Sequence, residues 1–398
     1  MERIGIYTGT FNPVHIGHIQ AALQAAQSLR LDKVLLIPDC ETPHKQMPEG
    51  SATAAQRLDM LKVAVSDCPQ LEASDVAIRR GGVTFTWQTL LDLREEYPDA
   101  EFVLLMGSDM FLKFGKWTHT DVILRESTLG ILYRGDRGEI RAVQEKKEEL
   151  RELNARIEIA ENNAVCISSS DLRRMLIFQC AAPFMPNGVM EYILENKLYG
   201  VGKPLQNLPM DQLEKAVIYL LKPGRIAHVL GCRDTAVRLA EHWGADVTDA
   251  ARAGILHDIT KALDGPLQLT LCSEYGTILS DFSKKYPKTL HALTGSLVAG
   301  RIFGENEAVT EAIRHHTTGK GNMNLLEKII YVADYMEPNR DIPGVEELRR
   351  LAYSDIDAAL KLGLEMALEH LNRQGAEVSP ESKEALEYLN RKFEKQPC

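Results

Sequence analysis

Over roughly its first two hundred residues the chain alternates short apolar runs with stretches of helical periodicity. RIGIYTG (Arg3–Gly9) leads into a helix from about Gly17 to Leu29, and KVLLIP (Lys33–Pro38) into one from about Ala54 to Val65. EASDVAI (Glu72–Ile78) precedes a helix from Trp87 to Tyr97, after which come EFVLLMG (Glu101–Gly107) and TLGILYR (Thr128–Arg134). Apolar runs closed by Gly or Pro and separated by amphipathic helices predict βαβ units around a parallel sheet. From Asp211 the texture changes. KAVIYLL, RDTAVRLAEHW, DAARAGILHDITKAL, ALTGSLVAGRIFG, EAVTEAIRHH, LLEKIIYVADYM and DAALKLGLEMALEHLN carry apolar residues at i, i+3 and i+4 with little strand signal, which predicts an all-α second half. Between the halves VGKPLQNLP (Val201–Pro209), with two prolines and a glycine after the periodic MEYILENKLYG, reads as a linker. We therefore expect two domains, residues 1–202 and 209–398. The charged run Glu145–Arg156 reads as the solvated face of a helix.

Charge narrows the partners. Lys and Arg total 46 against 56 Asp and Glu, a net charge of −10, so no broad nucleic-acid or anionic-membrane surface is expected and any phosphate must be met by a local site. The opening MERIGIYTGTFNP lacks a basic region followed by a long apolar run, and no stretch approaches the ~18 apolar residues of a membrane span, so a cytoplasmic protein is expected. Homo-oligomerisation is left open. Cys40, Cys68, Cys166, Cys180, Cys232, Cys272 and Cys398 show no CxxC spacing, which predicts reduced, mostly buried thiols rather than a zinc ribbon or a disulfide framework.

After the first strand Gly9-Thr10-Phe11-Asn12-Pro13-Val14-His15-Ile16-Gly17-His18 opens directly into an apolar-periodic helix. A phosphate there would meet the unpaired N–H groups and the positive end of that helix, with Gly9 and Gly17 permitting close backbone approach. His15 and His18, three residues apart, can both donate to a phosphoryl oxygen as charge builds during in-line displacement. Later, Ser168, Ser169 and Ser170 offer hydroxyls at a helix start, and Arg173 adds a cationic fork. The GxFxPxHxGH string in a Rossmann-like frame resembles the signature of the nucleotidylyltransferase superfamily. The related class I aminoacyl-tRNA synthetases would need a KMSKS-like loop and a basic stripe, and instead Ile167–Arg173 resembles the ISSTxIR motif of small nucleotidylyltransferases. Thr42-Pro43-His44-Lys45 is similar to that family's PPxHK segment, with Thr42 standing for its first Pro, and the resemblance aims Lys45 at the nucleotide phosphates. Gly107-Ser108-Asp109, Trp117, Thr84-Phe85-Thr86 and Tyr133-Arg134 together resemble bacterial nicotinate-mononucleotide adenylyltransferases. That family implies a Mg²⁺-dependent reaction with ATP, a stack of Trp117 on the pyridine ring, and substrate contacts from Gly9, Thr10, Phe11, Thr86, Gly107, Asp109, Arg134 and the three serines.

In the helical half His228, His257-Asp258, His291, His316 and Asp334 fall on different predicted helices, except for the adjacent pair. Four imidazoles and two carboxylates converging from several helices suit one or two transition-metal ions, with Asp258 the natural bridge. His119, His242 and His370 are isolated and read as ordinary helix histidines. The arrangement resembles the HD-domain phosphohydrolases. HDITK (His257–Lys261), AIRHHTTGK (Ala312–Lys320) and Leu325–Ala352 bring it closer to bacterial HD-domain hydrolases that split diadenosine tetraphosphate symmetrically. That resemblance assigns the ligand of the fourth motif to His316 and leaves His315 as a neighbouring or substrate-facing group. It makes the second half an HD-domain helical bundle with a two-ion site, for which the His-rich mixed N/O ligation suggests iron first and manganese behind it. Lys261, on the expected helix face of Asp258, and Arg225 and Arg340 are candidate phosphate clamps.

The expectation is a bifunctional enzyme: ATP and nicotinate mononucleotide for the first half, diadenosine tetraphosphate for the second. Two rivals for the second half are a nucleotide-sensing regulatory module and a hydrolase of a guanosine alarmone.

Overall fold

The computed structural model describes residues 1–43, 46–133, 137–163 and 165–394. The chain divides into two compact units, Met1–Lys203 and Pro204–Cys398. In the first, β1 (Arg3–Gly9), β2 (Lys33–Pro38), β3 (Leu71–Ala73), β4 (Glu101–Gly107), β5 (Ser127–Leu132) and β6 (Ile157–Ala160) form one sheet in the order β3-β2-β1-β4-β5-β6, every pairing parallel. Helices α1 (Ile16–Ser28), α2 (Ala54–Val65), α3 (Val76–Arg80), α4 (Thr86–Glu96), α5 (Ser108–Phe111), α6 (Thr120–Glu126), α7 (Arg137–Arg151), α8 (Ser169–Ile177) and α9 (Val189–Glu195) make the connections and the C-terminal flank. Strand side chains such as Ile4, Ile6, Phe102, Leu104 and Ile131 bury against Leu90 and Leu93 of α4, which is why these strands read as near-continuous apolar runs.

Two sheet details depart from the sequence expectation. EASDVAI is a strand only at its start: after Ser74 donates its N–H to Leu36 O, its hydroxyl accepts from Val76 N at 3.4 Å and the chain turns into α3. Strand β6 was not anticipated, because the four residues IEIA carry too short an alternation; its pairing with β5 makes it a strand. The charged run lies largely on α7, with ion pairs such as Arg141–Glu145 at 2.9 Å, and leaves the helix after Arg151. Of the described cysteines, Cys180, Cys232 and Cys272 are buried and Cys166 is exposed, all of them free thiols.

The second unit is helical: α10 (Met210–Leu220), α11 (Ile226–Trp243), α12 (Val247–Leu256), α13 (Gly265–Glu274), α14 (Asp281–Lys285), α15 (Leu290–Phe303), α16 (Glu307–His315), α17 (Leu325–Met336), α18 (Val345–Ala352), α19 (Ile356–Arg373) and α20 (Pro380–Glu394). Helix α11 packs on α12 and α17, and α16 on α12, α15 and α17. The stretch DAARAGILHDITKAL, expected as one helix, breaks at His257. The His257 Nδ1–H donates to Gly254 O at 2.8 Å, the carbonyl that the next backbone N–H of a continuing helix would need, and residues 257–262 form turns. His316 ends α16 in the same way on Ile313 O at 2.6 Å. Among the described residues no helix is long and apolar enough to cross a membrane.

Candidate active sites

At the centre of the sheet β1 and β4 lie side by side while their connections depart in opposite directions, so a crevice opens beyond Gly9 and Gly107. The loop Thr10–His15 crosses this end of β1 and feeds α1. Buried His15 is the N-cap residue, and its ring stacks on that of His18 with centroids 3.5 Å apart. The His15 N–H donates to His18 Nδ1 at 3.3 Å, which leaves the proton of a neutral His18 on Nε2, a hydrogen-bond donor. Phe11, buried in the left-handed region at φ 47°, packs edge-on against His18 at 5.0 Å. Gly17 is required sterically: a Cβ there would lie 2.4 Å from Val165 O and 3.1 Å from His15 Nδ1.

The serine motif meets this loop. Ser169 Oγ donates to Pro13 O at 3.1 Å, and Arg173 donates to Asn12 O at 2.6 Å and to Ser170 Oγ at 3.0 Å. Ser168 is the N-cap of α8, accepting from Asp171 N at 3.0 Å. Thr10 Oγ1 donates to Asp39 Oδ2 at 3.3 Å. Elsewhere Thr86 opens α4, Gly107 ends β4, Asp109 is exposed on α5, and half-buried Trp117 packs 5.6 Å from the Phe114 ring. Lys45 and Arg134 lie outside the described residues.

Sequence reading missed Arg57. It is buried and donates to Thr10 O at 2.7 Å and to Cys40 O at 3.1 Å, as well as to Asp39 O, tying the loops after β1 and β2 together. A signal existed, because Arg57 stands on the same stripe of α2 as Met60, Leu61 and Ala64, an apolar face where arginine is out of place.

In the second unit the six candidate ligands do converge, all of them buried. His228 Nε2 lies 3.3 Å from His257 Nε2, 3.1 Å from Asp334 Oδ1 and 3.7 Å from Asp258 Oδ2. Asp258 Oδ1 lies 3.5 Å from His291 Nε2 and 3.7 Å from His316 Nε2. Two sets have ligand atoms close enough to share an ion, His228, His257 and Asp334, and His257, Asp258 and His316. Every one of the four rings engages its Nδ1 outward: His257 with Gly254 O, His291 with Lys288 O, His316 with Ile313 O and His228 with Glu337 Oε1. Neutral rings so oriented turn their Nε2 lone pairs inward, with those of His228 and His257 face to face. Asp258 Oδ1 is buried and accepts no hydrogen bond. Only a proton or a metal cation relieves such an arrangement, and mixed N/O donors at this convergence fit a divalent transition metal.

Without a cation the proton is the alternative: despite burial, Cys232 and Asp258 raise His257 well above the usual imidazole range. Burial alone would raise the Asp258 and Asp334 carboxyls, but the neighbouring imidazoles, and Arg340 for Asp334, hold both well below the usual carboxylate range. Burial, with the Lys261 ammonium, pushes His291 down to about 3, keeping that ring neutral. Lys261 Nζ sits 2.9 Å from His291 Nε2 on the turn after Asp258, not on a shared helix face as expected. Arg225 donates to Asp258 Oδ2 at 2.6 Å and Arg340 to Asp334 Oδ1 at 2.6 Å. His315 turns the other way, 3.4 Å from Glu311 Oε2. Thr317, which sequence reading did not single out, places Oγ1 3.1 Å from the Nε2 atoms of both His291 and His316.

The architecture is that of a doubly wound α/β unit followed in the chain by a helical unit with a buried His/Asp centre. Residues 6–175 match the cytidylyltransferase-like family and residues 225–339 the HD domain family. The chain belongs to both families, its first unit being a relative of the nicotinate-nucleotide adenylyltransferases. A Borreliella burgdorferi protein named "Probable nicotinate-nucleotide adenylyltransferase" is 33% identical over 198 residues, 50% of this chain and 96% of that protein. The Bacillus subtilis "Bis(5'-nucleosyl)-tetraphosphatase, symmetrical" is 38% identical over 161 residues, 40% of this chain and 85% of that protein. A solved structure from Clostridium acetobutylicum, described as a "predicted HD superfamily hydrolase involved in NAD metabolism", shares 37% identity, covering 46% of this chain and 98% of its own, with a TM-score of 0.45.

Proposed function

We propose that the chain is a bifunctional cytoplasmic enzyme of two domains, residues 1–202 and 209–398, each carrying a separate activity. The first transfers the adenylyl group of ATP to nicotinate mononucleotide. A phosphate oxygen of the mononucleotide attacks the α-phosphorus, the bond from that phosphorus to the bridging oxygen breaks, pyrophosphate leaves and deamido-NAD forms. His15 and His18 meet the charge growing on the phosphoryl oxygens. Lys45, Arg173 and Ser168–Ser170 hold the triphosphate together with Mg²⁺, while Gly9, Thr10 and Phe11 line the nucleotide path. Thr86, Gly107, Asp109, Trp117 and Arg134 take the pyridine side. The observation that carries this reading is the His18 Nε2 donor at the start of α1, on a loop to which Ser169 and Arg173 are hydrogen-bonded. The name of the relatives, nicotinate-nucleotide adenylyltransferase, supports the substrate. Incubation with ATP and nicotinate mononucleotide should yield deamido-NAD and pyrophosphate; absence of both products refutes it.

The second unit, on this proposal, hydrolyses diadenosine tetraphosphate to two ADP. His228, His257 and Asp334 would hold one metal ion and Asp258, His291 and His316 the other, with His257 and Asp258 between them. Iron is preferred and manganese is the alternative, since both accept this N/O ligation. Such ions supply Lewis acidity, acidifying a water and neutralising phosphoryl charge. Lys261, Arg225 and Arg340 add fixed positive charge around the phosphates. Convergence of six ligand-type side chains, the four imidazoles with Nδ1 turned outward, carries this reading. Chromatography should find ADP alone; AMP plus ATP overturns symmetric cleavage, and turnover confined to a guanosine alarmone favours the rival hydrolase.

A further inference from the structure

The four cluster histidines are not equivalent. His257, His291 and His316 each pair Nδ1 with a neutral backbone carbonyl three residues earlier. His228 pairs with a carboxylate, Glu337 Oε1, at 3.0 Å. Glu337 is 1% exposed, and its other oxygen accepts from Asn339 N at 2.7 Å and from Asn339 Nδ2 at 2.9 Å. Asn339 Nδ2 also reaches Ala227 O at 3.1 Å, one residue before His228, so the turn after α17 is fastened to the start of α11. Space for the carboxylate comes from Gly231, nearly one helical turn beyond His228: a Cβ there would lie 2.4 Å from Glu337 Oε2. Glu337 itself touches none of the other five candidate ligands by hydrogen bond.

We propose that Glu337 is a positioning residue that makes His228, His257 and Asp334 the tighter of two metal sets, an inference that rests on the metal-binding reading above. A carbonyl partner fixes a ring's tautomer and aim. A carboxylate does the same and also adds negative charge behind the ring, strengthening Nε2 as a donor. Of the two ions, only the one on His228 receives that charge. The set built on Asp258, His291 and His316 has only carbonyl-held rings; Arg225 on Asp258 is matched by Arg340 on Asp334, so the ring partners alone separate the two sets. The two ions should therefore leave the protein in order, the Asp258 set first.

The full-length protein, stripped of metal, is loaded with Mn²⁺ and dialysed against graded EDTA, and bound manganese is measured by mass spectrometry. Wild type should release two ions in two steps. Glu337→Gln should shift the tighter step by about 10- to 100-fold, the cost typical of losing such a partner, and leave the weaker step in position. Asn339→Ala keeps the Glu337 charge but unfastens it, and should shift the same step by less. It carries the test if the glutamine variant does not fold. Equal weakening of both steps, two unshifted steps, or a single step in wild type overturns the proposal. A wild type that binds no manganese or iron overturns the metal-binding reading instead.

Discussion

Asp39 follows β2 beside the histidine loop, and burial lifts its carboxyl to about 6 although Arg57 and the Thr10 hydroxyl both pull it down. The unfolded chain holds the same group near the ordinary 3.8. The native state therefore binds this proton more tightly, and its stability falls as pH rises: nothing is lost below about 4 and the whole contribution is gone above about 6. At about 1.4 kcal/mol per pH unit, the interval from 3.8 to about 6 corresponds to about 3 kcal/mol. Asp39→Asn keeps the shape and an oxygen for Thr10 but never charges. Relative to wild type, the variant should gain about 3 kcal/mol in stability between pH 4 and pH 7.5. Any fixed cost of the substitution cancels in that difference. Urea unfolding followed by fluorescence measures it in a Trp243→Phe background, where Trp87 and Trp117 of the first unit are the remaining indoles. An identical difference at the two pH values would refute the argument that burial dominates at Asp39.

His18→Ala should lower kcat for adenylyl transfer by about 10²-fold or more with little change in KM, because its donor meets charge that grows in the transition state. Trp117→Ala should instead raise KM for nicotinate mononucleotide and spare that for ATP; equal effects on both substrates would remove Trp117 from the pyridine site. Asp258→Ala should abolish hydrolysis and lower bound metal together while adenylyl transfer persists, and activity retained by metal-stripped wild type would contradict it. Cleavage of the chain between Lys203 and Pro204 should leave two folded, active pieces, judged by circular dichroism and separate assays.

Much of the second site was legible because metal ligation needs rare residue types, and six of them, on separate predicted helices apart from the adjacent His257 and Asp258, stand out against an apolar background. The same holds for the paired histidines at the start of α1, where a glycine and a helix start fall next to each other in the chain. Residue periodicity was enough for the parallel sheet and the all-α second half, since burial on both faces of a strand or on one stripe of a helix writes its period directly into the residues. Partners joined only by folding were out of its reach. Glu337 meets His228 across 109 positions and Arg57 meets Thr10 across 47, distances over which no local pattern operates. Strand β6 needed β5 beside it, and α12 stopped at His257 because a side chain took the carbonyl that the backbone would have used. Tertiary structure decided these points because each depends on which buried polar group finds which partner, and that is settled only when the elements pack.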